Sequence, residues 1–259
     1  MTRTIKRSGR YRRGARTVMG GAARVLMVQN SEHSGPGRLG MWLSEGGVDV
    51  EVVCGYSGAR IPRRLAYSGL VVLGGGYLPD DDERAPWLAG TRELMRQALH
   101  DEVPAFGICL GGQMLAQVAG GLVAGKHGEP EFGSTVLTMR PEAARDPLFQ
   151  GLPEHPTAME NHVDAVVRLP SGAHWLASSE RCPYQAFRVG EAAWGVQFHP
   201  EAGPERIPQW PQERLRRYGL DRAELHRTAT ERDPAAARTW HAVALRFAAQ
   251  VKEQRAQQG

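Results

Sequence analysis

The chain has 259 residues, of which 41% are apolar and 23% charged. This is an ordinary globular composition, and no stretch approaches the roughly 18 consecutive apolar residues of a membrane-spanning helix. The formal charge of +4 would favour a polyanionic partner. However, the first 24 residues hold eight basic residues and no acidic one, so residues 25–259 carry a formal charge of −4. A nucleic-acid or membrane partner is therefore not expected for the folded part.

The basic segment at residues 1–23 is predicted to be a disordered extension, because it is rich in Arg, Ser and Gly and lacks acidic residues. It lacks the apolar core of a secretory signal. An organelle transit peptide and a nucleic-acid-binding arm are the alternatives, and translation starting at Val18 or Met19 is another.

Three cysteines, Cys54, Cys109 and Cys182, are too few and too scattered for a disulfide framework or a zinc site. We therefore expect a reducing, cytoplasmic setting, with Cys54 and Cys182 inert. The acidic run Asp80–Glu83 lacks a calcium-loop pattern and is interpreted as a solvated loop. We predict neither a metal ion nor a cofactor.

Strand and helix patterns alternate along residues 24–121, with short connections between them. This order predicts an α/β fold with a doubly wound, mostly parallel sheet and helices on both faces. The predicted strands are 24–28, 48–53, 70–73 and 104–109, and the predicted helices follow Pro36, span 87–99 and begin near Gly111.

After Gly121 the pattern changes to short β-like runs separated by turn residues, which predicts antiparallel additions at 134–139, 163–169, 185–189 and 194–198. Residues 205–252 have helical patterns, with Asp221 and Asp233-Pro234 as candidate helix starts. We predict one domain over 24–205 and a helical extension over 206–259 that packs on it.

The segment around Cys109 has the arrangement of a nucleophile elbow. A predicted strand ends in Phe-Gly-Ile, Cys109 occupies the bend, and Gly111 and Gly112 begin a helix. Glycines on both sides of the cysteine permit a tight turn and close packing of helix on strand. A thiol at a helix N-terminus also feels the positive end of the helix dipole, which favours the thiolate. An isolated cysteine is usually only a buried apolar residue, but this context favours a nucleophile.

A second predicted strand ends in Phe198-His199-Pro200-Glu201. A cysteine nucleophile needs a general base, and that base needs a third group to fix its tautomer, so His199 and Glu201 are candidates for these roles. The glycines at 74–76 follow another strand and lack a phosphate-loop pattern. They are better interpreted as bare backbone N–H groups that face a developing oxyanion, although a simple turn is equally compatible.

The residues G-x-C-x-G-x-Q at 107–113, Gly-Gly at 74–75 and F-H-P-E at 198–201 resemble the class I (triad) glutamine amidotransferases, within the stand-alone group similar to the amidotransferase part of GMP synthase. The resemblance covers roughly residues 24–205 and implies a flavodoxin-like fold. It implies that Cys109 attacks the side-chain amide of glutamine, that His199 transfers protons and that Glu201 orients His199. It further implies other site residues: Gly75 and Leu110 as oxyanion-hole donors, Gln113, Asn161, His162 and Asp164 at the substrate, and Glu131-Phe132-Gly133 as an E-x-G element.

Two positions depart from the family pattern. Gly76 replaces a usual proline and is expected to loosen the oxyanion loop, and Val163 replaces a usual glycine and is expected to crowd the substrate's amino-acid end.

Three functions follow as hypotheses. The first is a glutamine amidotransferase that releases ammonia to an acceptor on a synthetase partner. The second is a hydrolase of γ-glutamyl amides or peptides that uses the same triad. The third is a catalytically silent regulatory module, against which the intact Cys109, His199 and Glu201 argue.

Overall fold

The computed structural model describes residues 22–257, so nearly all of the basic segment at 1–23 lies outside the described residues. Within the described range, no helix is both long and apolar enough to cross a membrane. The strands are β1 Arg24–Gln29, β2 Asp49–Cys54, β3 Gly69–Val72, β4 Ala105–Ile108, β5 Leu122–Ala124, β6 Glu131–Val136, β7 Thr138–Met139, β8 Thr157–His162, β9 Ala165–Arg168, β10 His174–Ser178, β11 Ala186–Val189 and β12 Ala193–Val196. The α-helices are α1 Gly37–Glu45, α2 Trp87–His100, α3 Leu110–Val118, α4 Gln212–Arg216 and α5 Arg222–Gln257, and 3-10 helices cover Gly55–Ser57, Pro141–Arg145 and Pro204–Gln209.

An eight-stranded sheet forms the centre, in the order β2-β1-β3-β4-β12-β11-β10-β7. The five strands from β2 to β12 are parallel to their neighbours, and β11, β10 and β7 continue the sheet antiparallel. Two further antiparallel pairs, β5 with β9 and β6 with β8, lie outside this sheet. The predicted α/β fold with antiparallel additions after Gly121 is confirmed. The interpretation of 194–198 as one of these additions is wrong, because this run corresponds to β12, which pairs parallel with β4 in the central sheet.

Helices cover both faces of the sheet, as the side-chain alternation of its strands requires. In β1, Val25 and Met27 belong to one core cluster, together with residues of α1 and α5, whereas Leu26 and Val28 belong to another with residues of α2 and α3. All four side chains are fully buried, and a strand buried on both faces is typical of a doubly wound sheet.

The helix α5 starts where the sequence indicates but continues past a predicted boundary. The Asp221 carboxylate accepts hydrogen bonds from the backbone N–H groups of Ala223 and Glu224 at 2.9 and 3.0 Å, which confirms Asp221 as the cap. The interpretation of Asp233-Pro234 as a helix start is wrong, because the helix runs through Pro234. Proline removes one helical hydrogen bond, and the buried face of the following turns compensates for this loss: Trp240 and Phe247 are each only 2% exposed in the main core.

The acidic run at 80–83 lies in a loop, as predicted, but two of its acids are paired. Asp82 forms an ion pair with Arg92 at 2.6 Å and Asp81 with Arg84 at 2.7 Å. The hydrogen bond from Arg92 lowers the pKa of Asp82 although partial burial opposes this. The Asp82–Arg92 pair joins the loop to α2, whereas the Asp81–Arg84 pair lies within the loop.

Candidate active site

Cys109 lies between the end of β4 and the start of α3, in a backbone conformation that non-glycine residues rarely adopt. Its φ is 51° and its ψ −106°. The backbone N–H of Cys109 donates to the Val196 carbonyl at 2.8 Å, and its carbonyl accepts from the N–H of Gln113 at 2.9 Å. Such a conformation costs about 1–3 kcal/mol and persists only where the surroundings enforce it. The sheet and helix therefore hold the thiol at a strained turn.

Glycines next to Cys109 allow this turn because there is no room for a side chain. A Cβ atom on Gly111 would lie 2.0 Å from the Val72 carbonyl oxygen, and one on Gly107 would lie 2.3 Å from the Gly111 carbonyl oxygen. Backbone therefore packs directly on backbone where α3 meets β3 and β4. This confirms the expectation that the flanking glycines permit close packing of helix on strand.

His199 reaches the thiol from the neighbouring strand. β12 pairs with β4 in parallel register, with Val196 opposite Ile108, so both chain segments leave the sheet at the same edge. His199 Nδ1 lies 2.7 Å from Glu201 Oε1, and the ring lines the same cavity as the Cys109 thiol. Because the carboxylate can only accept, Nδ1 carries a hydrogen and Nε2 is left to exchange a proton with the thiol.

The electrostatics of this trio favour a charged histidine. Burial of the ring opposes its protonation, but the charges of Glu201 and Cys109 outweigh burial and raise the pKa of His199 well above its ordinary value. The Gln197 side-chain amide donates to Cys109 Sγ at 3.5 Å, a weak contact that also favours negative charge on sulfur. The arrangement can therefore generate a thiolate beside an imidazolium.

The glycines after β3 pass beside the reactive pair. A Cβ on Gly74 would lie 2.8 Å from His199 Cε1, and one on Gly75 would lie 2.9 Å from a side-chain carbon of Leu110. The N–H of Leu110 is among the first in α3, which have no carbonyl partner within the helix. Gly75 and Leu110 therefore lie next to each other beside the reactive residues, and their role as oxyanion-hole donors stays a prediction.

Asn30 fixes the start of this glycine loop. Its Nδ2 donates to the Leu73 carbonyl at 2.7 Å, and its Oδ1 accepts from the Trp87 indole at 3.0 Å. Beyond that point Gly76 has open space around its Cα, which agrees with a loop that proline does not stiffen. Asn30 was not predicted from the sequence, since a single asparagine after a strand is a common turn residue.

The four predicted substrate residues occupy different places. Asn161 lines the cavity at Cys109. Gln113 is 2% exposed, and its amide donates to the Asp164 carbonyl at 3.0 Å and to Gln197 Oε1 at 3.1 Å. His162 Nδ1 donates to the same carbonyl at 3.1 Å, and Asp164 Oδ1 accepts from the Lys126 backbone at 2.8 Å. These three hold the loop behind the cavity wall, and their direct contact with a substrate stays a prediction.

A buried polar network behind this wall includes Glu131, Glu160, His162 and Gln185. His162 Nε2 lies 3.1 Å from Glu131 Oε2 and 3.5 Å from Glu160 Oε2, and Gln185 donates to Glu131 Oε2 at 2.7 Å. Because Nδ1 of His162 already carries the hydrogen of the neutral ring, Nε2 can only accept a hydrogen bond. Nε2 would then face two carboxylate oxygens that also only accept, unless the network holds a further proton or a cation. Burial, and then the charge of Glu131, raise the pKa of Glu160 well above its ordinary value, which places that proton on Glu160.

Cys182 completes a set with Glu131 and His162 whose ligand atoms lie within 4.8 Å of one another. A metal ion would need the thiolate of Cys182. Burial, and also the charge of Glu131, raise the pKa of this thiol far above its ordinary value. These residues therefore fit a protonated hydrogen-bond network better than a metal site. The same surroundings make Cys182 less reactive than Cys109, the other buried cysteine.

The cavity at Cys109 has a volume of about 340 Å³ and extends beyond the reactive residues. One wall carries His33 and Ser31 from the loop after β1. The opposite wall carries Arg206, Trp210 and Arg214 from the segment that follows Glu201. This second wall was not predicted from the sequence, because arginines interspersed with acids along helices are usually solvated.

The comparisons with known proteins agree with this geometry. The family model for glutamine amidotransferase class-I matches residues 41–215. A relative from Methanopyrus kandleri, named as one of the subunits of a glutamine-hydrolysing GMP synthase, is 36% identical over 156 residues, which are 60% of this chain and 77% of the relative. The glutamine-hydrolysing GMP synthase of Thermosipho melanesiensis is 37% identical over 132 residues, and the match spans 51% of this chain and 24% of that protein.

A solved structure of a glutamine amidotransferase from Thermotoga maritima superposes with a TM-score of 0.77 at 26% identity, over 87% of this chain and 98% of that chain. The matched family region contains Cys109 and His199 together with the strands that position them. The chain belongs to the class-I glutamine amidotransferase family.

Proposed function

We propose that this chain hydrolyses the side-chain amide of glutamine through a γ-glutamyl thioester on Cys109. The observation that supports it most directly is that Cys109, at a strained strand-to-helix turn, shares one cavity with His199, which is hydrogen-bonded to Glu201. Its membership of the family supports the choice of glutamine as substrate.

The reaction follows from the positions of these groups. His199 accepts the thiol proton, and the Cys109 sulfur attacks the amide carbon, so that the carbonyl oxygen becomes an oxyanion held by the N–H groups of Gly75 and Leu110. The C–N bond then breaks, and His199 gives its proton to the departing ammonia. A water molecule, deprotonated by His199, attacks the thioester, and glutamate leaves as the thiol regains its proton. Each oxyanion donor is expected to contribute about 10²–10³ to the rate.

We propose further that the ammonia passes to a synthetase on another polypeptide chain. The relative from Methanopyrus kandleri, of which the match covers 77%, is named as a subunit of a glutamine-hydrolysing GMP synthase. A reducing, cytoplasmic setting is proposed as well, since none of the three cysteines is in a disulfide.

Hydrolysis of larger γ-glutamyl amides or peptides is the second candidate. The specific observation in its favour is the cavity wall with Arg206, Trp210 and Arg214, which ammonia release alone does not require. A catalytically silent module is disfavoured, because the strained Cys109 and its paired histidine are both retained.

The test uses the wild-type chain, Cys109→Ala, and Cys54→Ala as a matched control, because Cys54 is half-buried and outside the cavity. Glutamate release from glutamine should fall by at least about a thousandfold in Cys109→Ala and stay unchanged in Cys54→Ala. A chloromethyl ketone analogue of glutamine should alkylate Cys109, detected by mass spectrometry, even where turnover awaits a partner. Equal glutamate release by wild type and Cys109→Ala, or labelling spread over all cysteines, would contradict the proposal.

A further inference from the structure

Two arginines on the outer wall of the catalytic cavity lack acidic partners. Arg206 lies on the 3-10 helix Pro204–Gln209 and Arg214 on α4, and both are half-buried and line the cavity that contains Cys109. Within residues 22–257, neither guanidinium forms an ion pair or a side-chain hydrogen bond. Three other arginines with largely buried side chains are each paired, Arg38 with Asp233, Arg92 with Asp82 and Arg188 with Asp146.

The wall that carries these arginines is fixed to the catalytic centre. Ile207, next to Arg206, is fully buried and packs with Met159 and Ala229. The Met159 carbonyl in turn accepts a hydrogen bond from the backbone N–H of His199 at 2.8 Å. The guanidinium carbon of Arg214 lies 4.9 Å from the centroid of the Phe132 ring. Stacking on an aromatic ring holds the cation in place without neutralising it.

The acidic side chains of the cavity are committed elsewhere. Glu201 holds His199, and Glu160 belongs to the buried network around His162. The outer part of the cavity is therefore positively charged, with up to ten guanidinium N–H donors available to an anion. A volume of about 340 Å³ is the size of a small-molecule site. The planar guanidinium matches a carboxylate through two parallel hydrogen bonds.

We propose that Arg206 and Arg214 form a subsite that binds a carboxylate of the substrate and so selects among γ-glutamyl compounds. The inference rests on the proposed function, since the substrate that Cys109 attacks carries the carboxylate. That group is either the α-carboxylate of the glutamyl part or a carboxylate on the amine part of a γ-glutamyl amide. The experiment has an arm for each source.

Binding is measured by calorimetry on the Cys109→Ala protein, so that no ligand is consumed. The four ligands are glutamine, its α-carboxamide, γ-glutamylmethylamide and γ-glutamylglycine. Arg206→Gln and Arg214→Gln are introduced separately into this background, with Arg216→Gln as the matched control, because Arg216 lies exposed on α4 and outside the cavity. An unchanged unfolding midpoint shows that each variant folds, and the Arg→Lys variants test whether charge alone restores binding.

Loss of a charge-assisted hydrogen bond is expected to weaken binding by about 10- to 100-fold. If the α-carboxylate is the ligand, glutamine and both γ-glutamyl amides weaken together, whereas the α-carboxamide binds poorly and does not change. If the amine part supplies the carboxylate, only γ-glutamylglycine weakens. The control should bind every ligand as before, and lysine should restore only part of the loss.

The inference is overturned if no ligand binds, if ligands with and without a carboxylate bind equally, or if the arginine variants weaken all four to the same extent. Glutamate release by the wild-type chain, measured separately, tests the proposed function. A chain that hydrolyses glutamine but shows no carboxylate selectivity refutes the subsite alone. Selective binding by a chain that neither releases glutamate nor is alkylated at Cys109 by the chloromethyl ketone refutes the proposed reaction alone.

Discussion

Replacing Gly111 with alanine should separate the two sides of the predicted oxyanion hole. The new Cβ would lie 2.0 Å from the Val72 carbonyl oxygen, so α3 and β3 must move apart by about 1.4 Å to reach an ordinary contact of 3.4 Å. Leu110 starts α3 and Gly75 follows β3, so the movement displaces one oxyanion donor relative to the other. A misplacement of about 1 Å can lower the rate about a hundredfold.

The same substitution should also destabilise the fold. Overpacking of this kind costs about 1–3 kcal/mol, whereas the helix propensity of alanine returns at most about 1 kcal/mol. Glutamate release and urea unfolding measure the two effects. Gly90→Ala in α2 is the control, because its Cβ would meet only the half-buried Ile61 side chain, at 3.2 Å. A Gly111→Ala protein that is more stable than wild type and keeps its rate within about threefold would refute the reasoning.

Three further substitutions test, in turn, the partner of His199, the buried polar network and the hydrophobic core. In Glu201→Gln, only Cys109 still opposes the effect of burial on His199, so the pKa of His199 should fall. The alkaline limb of the pH–rate profile should move to lower pH, and kcat should drop about 10²- to 10⁴-fold. Because the folded-state pKa of Glu160 is raised, the wild-type free energy of unfolding should decrease as pH rises above 4.5, and urea titrations of Glu160→Gln at pH 5 and pH 8 should lack that decrease. Trp240→Ala should cost about 3–5 kcal/mol in urea unfolding, since its ring packs 4.4 Å from that of Phe198 and its indole donates to a β8 carbonyl at 2.9 Å, whereas Leu245→Ala, 37% exposed on the same helix, should cost under about 1 kcal/mol.

The sequence predicted the central part of the fold because apolar strands buried on both faces have a simple pattern. Residues 25–28 and 70–73 are continuous apolar runs, and each corresponds to a parallel strand of the structure. The reactive residues were predictable for a related reason, since Cys109 and His199 stand where such runs end. A residue at the end of a buried strand has few ordinary roles, so its chemical type is informative.

The remaining features of the fold and the site could not be predicted from the sequence, because they depend on contacts between segments that are distant in the chain. β8 was not predicted, since its sequence Thr-Ala-Met-Glu-Asn-His carries buried polar residues, and His162 among them meets its partner Glu131 only across the β6–β8 pair. Pro234 wrongly indicated a helix start. The burial of Trp240 and Phe247, which compensates for the helical hydrogen bond lost at Pro234, is a tertiary effect that the local sequence does not show. Arg206 and Arg214 looked like solvated cations, and only the folded chain places them at the cavity.

The parallel pairing of β4 with β12 sets the spacing of the reactive pair by the hydrogen bonds of the sheet. Neighbouring strands lie about 4.8 Å apart, and a shift of one residue in register would displace His199 by about 3.3 Å. Loops and helices around the cavity can therefore change in length or sequence while the sulfur and the imidazole keep their separation. If the proposed subsite selects the substrate, changes within the segment 204–216 alter substrate choice and leave the spacing of sulfur and imidazole unchanged.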